Sequence, residues 1–412
     1  MRDRSTRGGR PCALVACIAA CAFLVAGCRR EGTVSSLEEK KIFTLDYGNF
    51  ENQLNVFSLL SVNTINTNFV MQDGFFYIMN GENHKIMALN NFGELVTFFY
   101  NPEYNTAPAY IKSPSVKEAT VKAVEYAFND ITCLSVGADK SLYVVDRLPV
   151  TRQELDKESG QILGQIVLRF SSDGHFIDYI GQQGPGGSPF PYIKSIHSTN
   201  RNEFVVVCVS GDGYIAYWFS AKGYLLYKIS IDKNSVPSPY SAEDGDLYPS
   251  IGTVIPDYTS RTLYLSVDYY SKYIDTSSHL QSGVVYKSSY IYPLSAEDGT
   301  FGAPLEILPN VEQSTEEFSS EKYEIPYDFL GVTESGWFFF MASTESGFEL
   351  QMVQGNGERI LRRRLPFNRS ETLYYTFSLS RTGILSVMAI KNEYAEIDWW
   401  RTDSLIQSVV NK

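Results

Sequence analysis

The chain has 412 residues, 44% hydrophobic and 14% aromatic with 28 Tyr and 25 Phe, which is ample for a large core and biased toward sheet. Its formal charge is -12, and residues 1–27 carry four arginines against one aspartate, so the remainder keeps about -15. An acidic body of this kind lacks the basic face that a phosphate backbone demands, so no nucleic-acid partner is expected.

The first element is a targeting segment. Arg2, Arg4, Arg7 and Arg10 lead into an apolar run from about Cys12 to Gly27, short of the ~20 residues that a membrane-spanning helix needs. The run ends in Leu24, Val25, Ala26, Gly27 and Cys28. This resembles a bacterial lipobox, which implies cleavage of a signal peptide before Cys28 and acylation of its thiol. An ordinary secretory signal or an uncleaved anchor are the alternatives. The expected address is the bacterial cell envelope, lipid-anchored on a periplasmic leaflet or the cell surface, with the membrane as a partner through lipidated Cys28. The segment 28–41 is polar and reads as a tether. Of the six cysteines only Cys133 and Cys208 then remain, both in apolar strand patterns where a thiol serves as a small hydrophobe, with a disulfide between them as the alternative. No Cys/His metal spacing occurs.

From residue 42 the chain repeats. Ile42–Tyr47 and Val56–Leu60 look like strands of unclear pairing. A dense apolar strand then recurs at Phe75–Met79, Leu142–Val145, Phe204–Val207, Leu263–Val267, Trp337–Met341 and Ile384–Ala389, each preceded by a turn such as Asp73-Gly74 or Ser335-Gly336. Gly93, Gly174, Gly223 and Gly357 follow the next strand at a constant offset, as hairpin turns. Four short strands per repeat cannot bury both faces of their sheet unless copies stack beside it. Six occurrences predict an all-β, six-bladed β-propeller of four-stranded antiparallel blades over residues 42–412. In the last blade Ser404 takes the glycine place, which favours Leu405–Val410 as the outer strand; closure of the ring by Ile42–Tyr47 is the alternative. A capping box at Ser115 and Glu118, with Val121, Val124 and Phe128 on one stripe, predicts one short helix in an inter-blade insertion.

Gly181, Gly184 and Gly186, then Phe190 and Pro191, and then the strands EFVVVCVS and IAYWFSAKG resemble the NHL repeat. Blades two and three carry this resemblance, about a quarter of the chain. Combined with the lipobox, it resembles six-bladed propeller lipoproteins of spirochaetes and related bacteria. It implies a scaffold and no particular reaction.

Lettering the strands of a blade a to d, the long insertions 101–128, 147–164, 232–248, 269–283 and 309–324 all fall on the rim that carries the b–c and d–a loops. Insertions gathered on one face of a repeat ring mark a binding face, although tolerant loops also drift. The candidate rim residues are His84, Tyr104, Tyr110, Arg147, Tyr240, Tyr248, Tyr269, Tyr270, Tyr273 and His279. Tyrosine offers contact area and a hydroxyl at low entropy cost, suiting a protein or glycan partner, and it equally well packs loops onto a ring. A two-His metal site from His84 and His279 and a calcium site from the SAEDG turns (Ser241–Gly245 and Ser295–Gly299) are weaker readings, and no cofactor is expected. No nucleophile elbow or phosphate loop occurs. The expected function is therefore a non-catalytic, lipid-anchored binding scaffold. The alternatives are a metal-dependent, lactonase-like hydrolase with its site in the central channel, and a surface adhesin.

Overall fold

The computed structural model describes residues 34–56, 66–108, 121–211, 213–241, 247–275, 277, 279–316 and 319–410. Six sheets, each with four antiparallel strands at its centre and two of them extended by a short fifth strand, form the blades of a propeller. Blade one contains Thr67–Gln72, Phe75–Asn80, Lys85–Leu89 and Leu95–Tyr100. Blade two contains Ile131–Val136, Leu142–Arg147, Gln165–Phe170 and Phe176–Gly181, and blade three Ile193–Ser198, Phe204–Ser210, Gly213–Phe219 and Leu225–Ile231. Blade four is built of Leu247–Pro256, Thr262–Ile274, Gln281–Ser295 and Leu305–Ile307, and blade five of Asp328–Val332, Trp337–Thr344, Gly347–Gln354 and Ile360–Pro366. The six apolar strands read from the sequence are the second strands of these blades, and Gly93, Gly174, Gly223 and Gly357 turn the c–d hairpins with φ of 78, 86, 86 and 74°.

Each sheet is apolar on both faces, so each face must meet a neighbour. The result is six buried clusters, one per seam. Ile78 and Met87 of blade one meet Ile390 and Ile397 of blade six, Val205 and Trp218 of blade three meet Leu263 and Leu265 of blade four, and the other four seams repeat the arrangement. Cys133 and Cys208 both pack in the seam between blades two and three as free thiols, and burial raises the pKa of each.

Ring closure differs from the favoured expectation. Blade six joins Tyr374–Leu379, Leu385–Ile390 and Tyr394–Trp400 to the amino-terminal strand Lys40–Asp46, which pairs antiparallel with Tyr394–Trp400 from Lys40 opposite Trp399 to Asp46 opposite Tyr394. Residues 405–410, expected as a strand, belong instead to the helix Thr402–Val410. Arg401 donates to Asp403 at 2.8 and 2.7 Å, Thr402 Oγ1 donates to the Gly383 carbonyl, and Ile406 packs into the seam between blades five and six. Without a glycine the chain does not enter the left-handed hairpin, and it winds into a helix over the end of the blade. The described part of the expected insertion helix is not helical. Ser115 and Glu118 lie outside the described residues, while Val124 belongs to the strand Lys122–Glu125, which adds in parallel to the outer edge of blade one. Ser36 and Leu37, expected in a free tether, pair with Arg364 on the outer edge of blade five.

Candidate binding rim

In an antiparallel four-stranded blade the b–c and d–a connections leave from the same end. The long segments lie there: a two-stranded ribbon (Glu154–Leu155 with Ile162–Leu163) in blade two, the extended hairpin of the 13-residue and 15-residue strands of blade four, and the hairpin Asn310–Glu316/Ser319–Ile325 before blade five. Pro309 precedes the last of these, and the connection 232–248 reaches blade four on the same side.

Between blades one and two the rim forms a pocket of about 210 Å³. Its walls are held by side-chain amides. Asn101 Nδ2 donates to the Phe128 carbonyl at 2.8 Å, and Asn83 and Asn105 are joined by bonds of 2.7 Å from each Nδ2. Asp146, the last but one residue of its strand, accepts the backbone N–H of Asn129 at 3.1 Å and of Asp130 at 2.7 Å, which fixes the loop entering blade two. Burial pushes the Asp146 carboxyl up to about 6 despite those bonds. Arg147 pairs with Asp130 at 3.2 Å.

His84 ends a short 3-10 turn with a left-handed φ of 48°, and its ring stacks on Tyr104 with centroids 3.9 Å apart. Burial lowers its pKa, and its Nδ1 is buried without a hydrogen-bond partner among the described residues. Tyr104 remains 55% exposed, leaving an aromatic surface at the pocket mouth. Tyr126 forms another wall against Phe128, Phe170 and Phe176, and Arg152 lines the opening. Tyr104 thus lines the pocket with His84 stacked on it, Arg147 stands beside it in its ion pair with Asp130, and Tyr110 lies outside the described residues. Asn101, Tyr126, Asn129, Asp146 and Arg152 complete the pocket without having been singled out from the sequence; the place of Asp146 at the rim end of a second strand is the signal that could have found it.

The remaining candidates gather in blade four and divide in two. Tyr240 and Tyr269 pack the loop onto the ring: Tyr269 is buried, its hydroxyl donates to the Pro237 carbonyl at 3.1 Å and lies 3.0 Å from the Tyr292 hydroxyl, and its ring meets Tyr240 edge-on at 5.6 Å. Tyr248 and Tyr273 are exposed, Tyr270 leans on Tyr286, and His279 sits in the exposed hairpin turn at a φ of 54°. Blade four stands across the ring from blade one, so His84 and His279 belong to separate places. Of the first SAEDG turn, residues 242–245 lie outside the described residues, and the second lies at the opposite end of blade four, in its c–d turn.

The central channel holds a cavity of about 120 Å³ lined by Gln72, Ser135, His197, Ser198, Ser378 and Arg381 among others, with no carboxylate in its wall. His197 Nε2 lies 2.9 Å from Ser195 Oγ, and burial depresses its pKa to about 4, so the imidazole is neutral. The end away from the long loops is laced by turn residues: Arg381 binds both Asp73 oxygens at 3.0 Å, and Asn200 of blade three donates to Glu334 of blade five at 3.3 Å. Among the described residues no group of three or more His, Cys, Asp or Glu is placed to hold a metal ion. None of the described helices is long and apolar enough to cross a membrane.

No protein-family model matches the chain, and no curated protein matches it. Among solved structures it is similar to the polysaccharide lyase Uly1 (7% identity, 89% of this chain and 99% of that one, TM-score 0.40). It is also similar to the β-propeller domain of the Trilobed protease from Pyrococcus furiosus, described as having an open velcro topology (10% identity, 82% and 96%, TM-score 0.41). A third similar structure is a protein of unknown function from Bacteroides caccae (10% identity, 75% and 80%, TM-score 0.33).

Proposed function

We propose that this propeller is a non-catalytic binding scaffold of the bacterial cell envelope, built on an NHL-like repeat, anchored through lipidated Cys28 and presenting its long-loop rim to a protein or an envelope polymer. The observation that carries the reading is the asymmetry of the two ends. One end collects the long insertions, an aromatic-lined pocket and the exposed Tyr104, Tyr248 and Tyr273, while the other is closed by short turns bonded to one another across the ring. Aromatic and amide groups on pre-set walls favour recognition of a protein or a glycan.

Photo-crosslinkers placed at Tyr104 and Tyr273 in the native envelope test this, with Lys222 and Glu297 on the opposite end as controls. The proposal expects adducts of a defined partner from the rim positions only; equal labelling from the controls would overturn it. The anchor is tested separately: Cys28→Ser releases the body from membranes, and retention of the variant there refutes lipidation. Protease treatment of intact cells distinguishes a surface adhesin from a periplasmic scaffold.

A further inference from the structure

The outer edges of the six blades differ in charge. Along the d strands, blade one carries no charged residue, blade two only Asp178, blade three only Lys228 and blade four only Glu306, and the short strand added outside blade one balances Lys122 with Glu125. Blade five carries Arg362, Arg363 and Arg364 in succession. Arg359 stands just before that strand and Arg369 just after it, so that five arginines fall within eleven residues free of acid, in a chain whose net charge is -12. The next edge around the ring, blade six, begins with Lys40 and Lys41.

These arginines are not consumed by carboxylates. Arg362 Nε donates to Gln351 Oε1 at 2.8 Å, Arg363 Nη1 to the Arg362 carbonyl at 2.7 Å and Arg359 Nη1 to the Val409 carbonyl at 3.0 Å. None of Arg359, Arg362, Arg363 and Arg364 forms an ion pair with a described carboxylate. Of the acids nearby, Glu358 accepts from Asn356, Glu349 accepts from Tyr327 and Glu396 pairs with Lys41 and Lys391, while Glu38 and Glu39 follow on the arriving amino-terminal chain.

The same edge receives the amino-terminal chain, since Leu37 N–H donates to the Arg364 carbonyl at 2.9 Å and Arg364 N–H donates to the Ser35 carbonyl at 3.1 Å. Six residues separate Ser35 from Cys28, and they include Arg29, Arg30 and Glu31. The seven Cα-to-Cα steps from Cys28 to Ser35 span at most about 25 Å. An acyl chain on Cys28 would therefore hold the arginine edge close to the bilayer, near the reach of its surface charge.

We infer that the outer edge of blade five is a docking surface for an anionic lipid bilayer, so that the propeller rests on the membrane on this edge and its long-loop rim points along the surface. The inference deepens the anchored-scaffold reading and rests on it for the nearness of the membrane, while the charged edge can be tested without the acyl chain. The probe is the chain from residue 28 onward carrying Cys28→Ser, floated with vesicles of phosphatidylcholine alone or with a third of the lipid replaced by phosphatidylglycerol. Binding is expected only to the anionic vesicles and should fall with added salt. The variant Arg362→Gln/Arg363→Gln/Arg364→Gln should lose roughly fivefold in affinity per arginine, the triple Lys variant should retain binding, and Lys222→Gln/Lys228→Gln/Lys233→Gln on blade three should leave it unchanged. Circular dichroism of each variant establishes that the fold is kept. No binding to anionic vesicles, or undiminished binding by the arginine-to-glutamine variant, would overturn the inference, as would binding to soluble polyglutamate without binding to vesicles, which would point to an acidic protein. Failure of Cys28→Ser to release the protein in cells would instead count against the anchor and leave this result standing.

Discussion

Blade three and blade six share a four-stranded plan and reach it by different routes. Blade three runs continuously from Ile193 to Ile231, and its outer hairpin turns at Gly223, where a Cβ would meet Ile180 Cδ1 at 2.7 Å and Arg169 at 3.0 Å. Blade six supplies three strands and then winds into a helix, so its fourth edge is filled by Lys40–Asp46 from the other end of the chain. The difference shows that a strand's place is decided by competition for an open edge. A glycine turn lets the next segment win that competition locally. Where the glycine is missing, a distant segment with the right apolar face takes the edge, because the entropy of closing a longer loop grows only slowly with its length.

The comparison can be broken most directly at the closing strand. Leu45 is buried in the seam between blades six and one, and Leu45→Asp should cost at least about 4 kcal/mol, from lost packing and an unpaired buried carboxylate. Denaturant unfolding measures this, and a stability equal to that of the native chain would show that the closing strand is dispensable. The locally built seam has its own clamp. Arg169 donates to Asp178 at 2.7 and 2.6 Å and to the carbonyls of Ala221 and Lys222 in the neighbouring turn. Arg169→Ala should cost about 3 kcal/mol by leaving these acceptors unpaired. A cost above that of Leu45→Asp would reverse the ranking of the two seams.

Blade six also carries an electrostatic penalty. Asp398 is buried, with Oδ1 unpartnered, and burial together with Glu396 and Glu39 raises its pKa to about 7. The folded state therefore binds the proton more tightly than the unfolded chain, so this group destabilises the fold progressively from its ordinary carboxylate range up to about pH 7, and the cost is fully present above that. Asp398→Asn should raise stability by about 2 kcal/mol near pH 8, after allowance for residual solvent screening, and have little effect near pH 4. Thermal unfolding across that range checks the sign. The smallest change is Ser404→Gly, which restores the glycine of the other blades. With the outer edge already filled, it should only weaken the helix by about 0.5 kcal/mol. Displacement of Lys40–Asp46 by residues 405–410, detected by hydrogen exchange, would show that the turn residue alone controls closure.

Much of the ring was legible because its signals are local. Apolar runs such as Phe204–Val207 and offset glycines such as Gly174 index a blade wherever it falls in the chain. The rim was legible as a topological consequence, and Tyr104 and His84 were found that way. The pocket that Tyr104 lines was not, because Asp146 and Asn101 act through backbone groups far away in sequence, and only the place of Asp146 at the rim end of its strand marks it locally. The tyrosines of blade four looked alike in the sequence and separate only by burial, Tyr269 into the core and Tyr273 into solvent.

The sequence by itself determined the number of blades, the strand that anchors each, and the end of the ring that grows long loops, since period and turn chemistry are properties of short stretches. Only the tertiary structure decided which segment closes the ring, that residues 402–410 are helical, and that three consecutive arginines stand on the edge where the amino-terminal chain arrives. Those outcomes depend on which edges and seams remain open once the other blades have packed, and that is a property of the whole assembly.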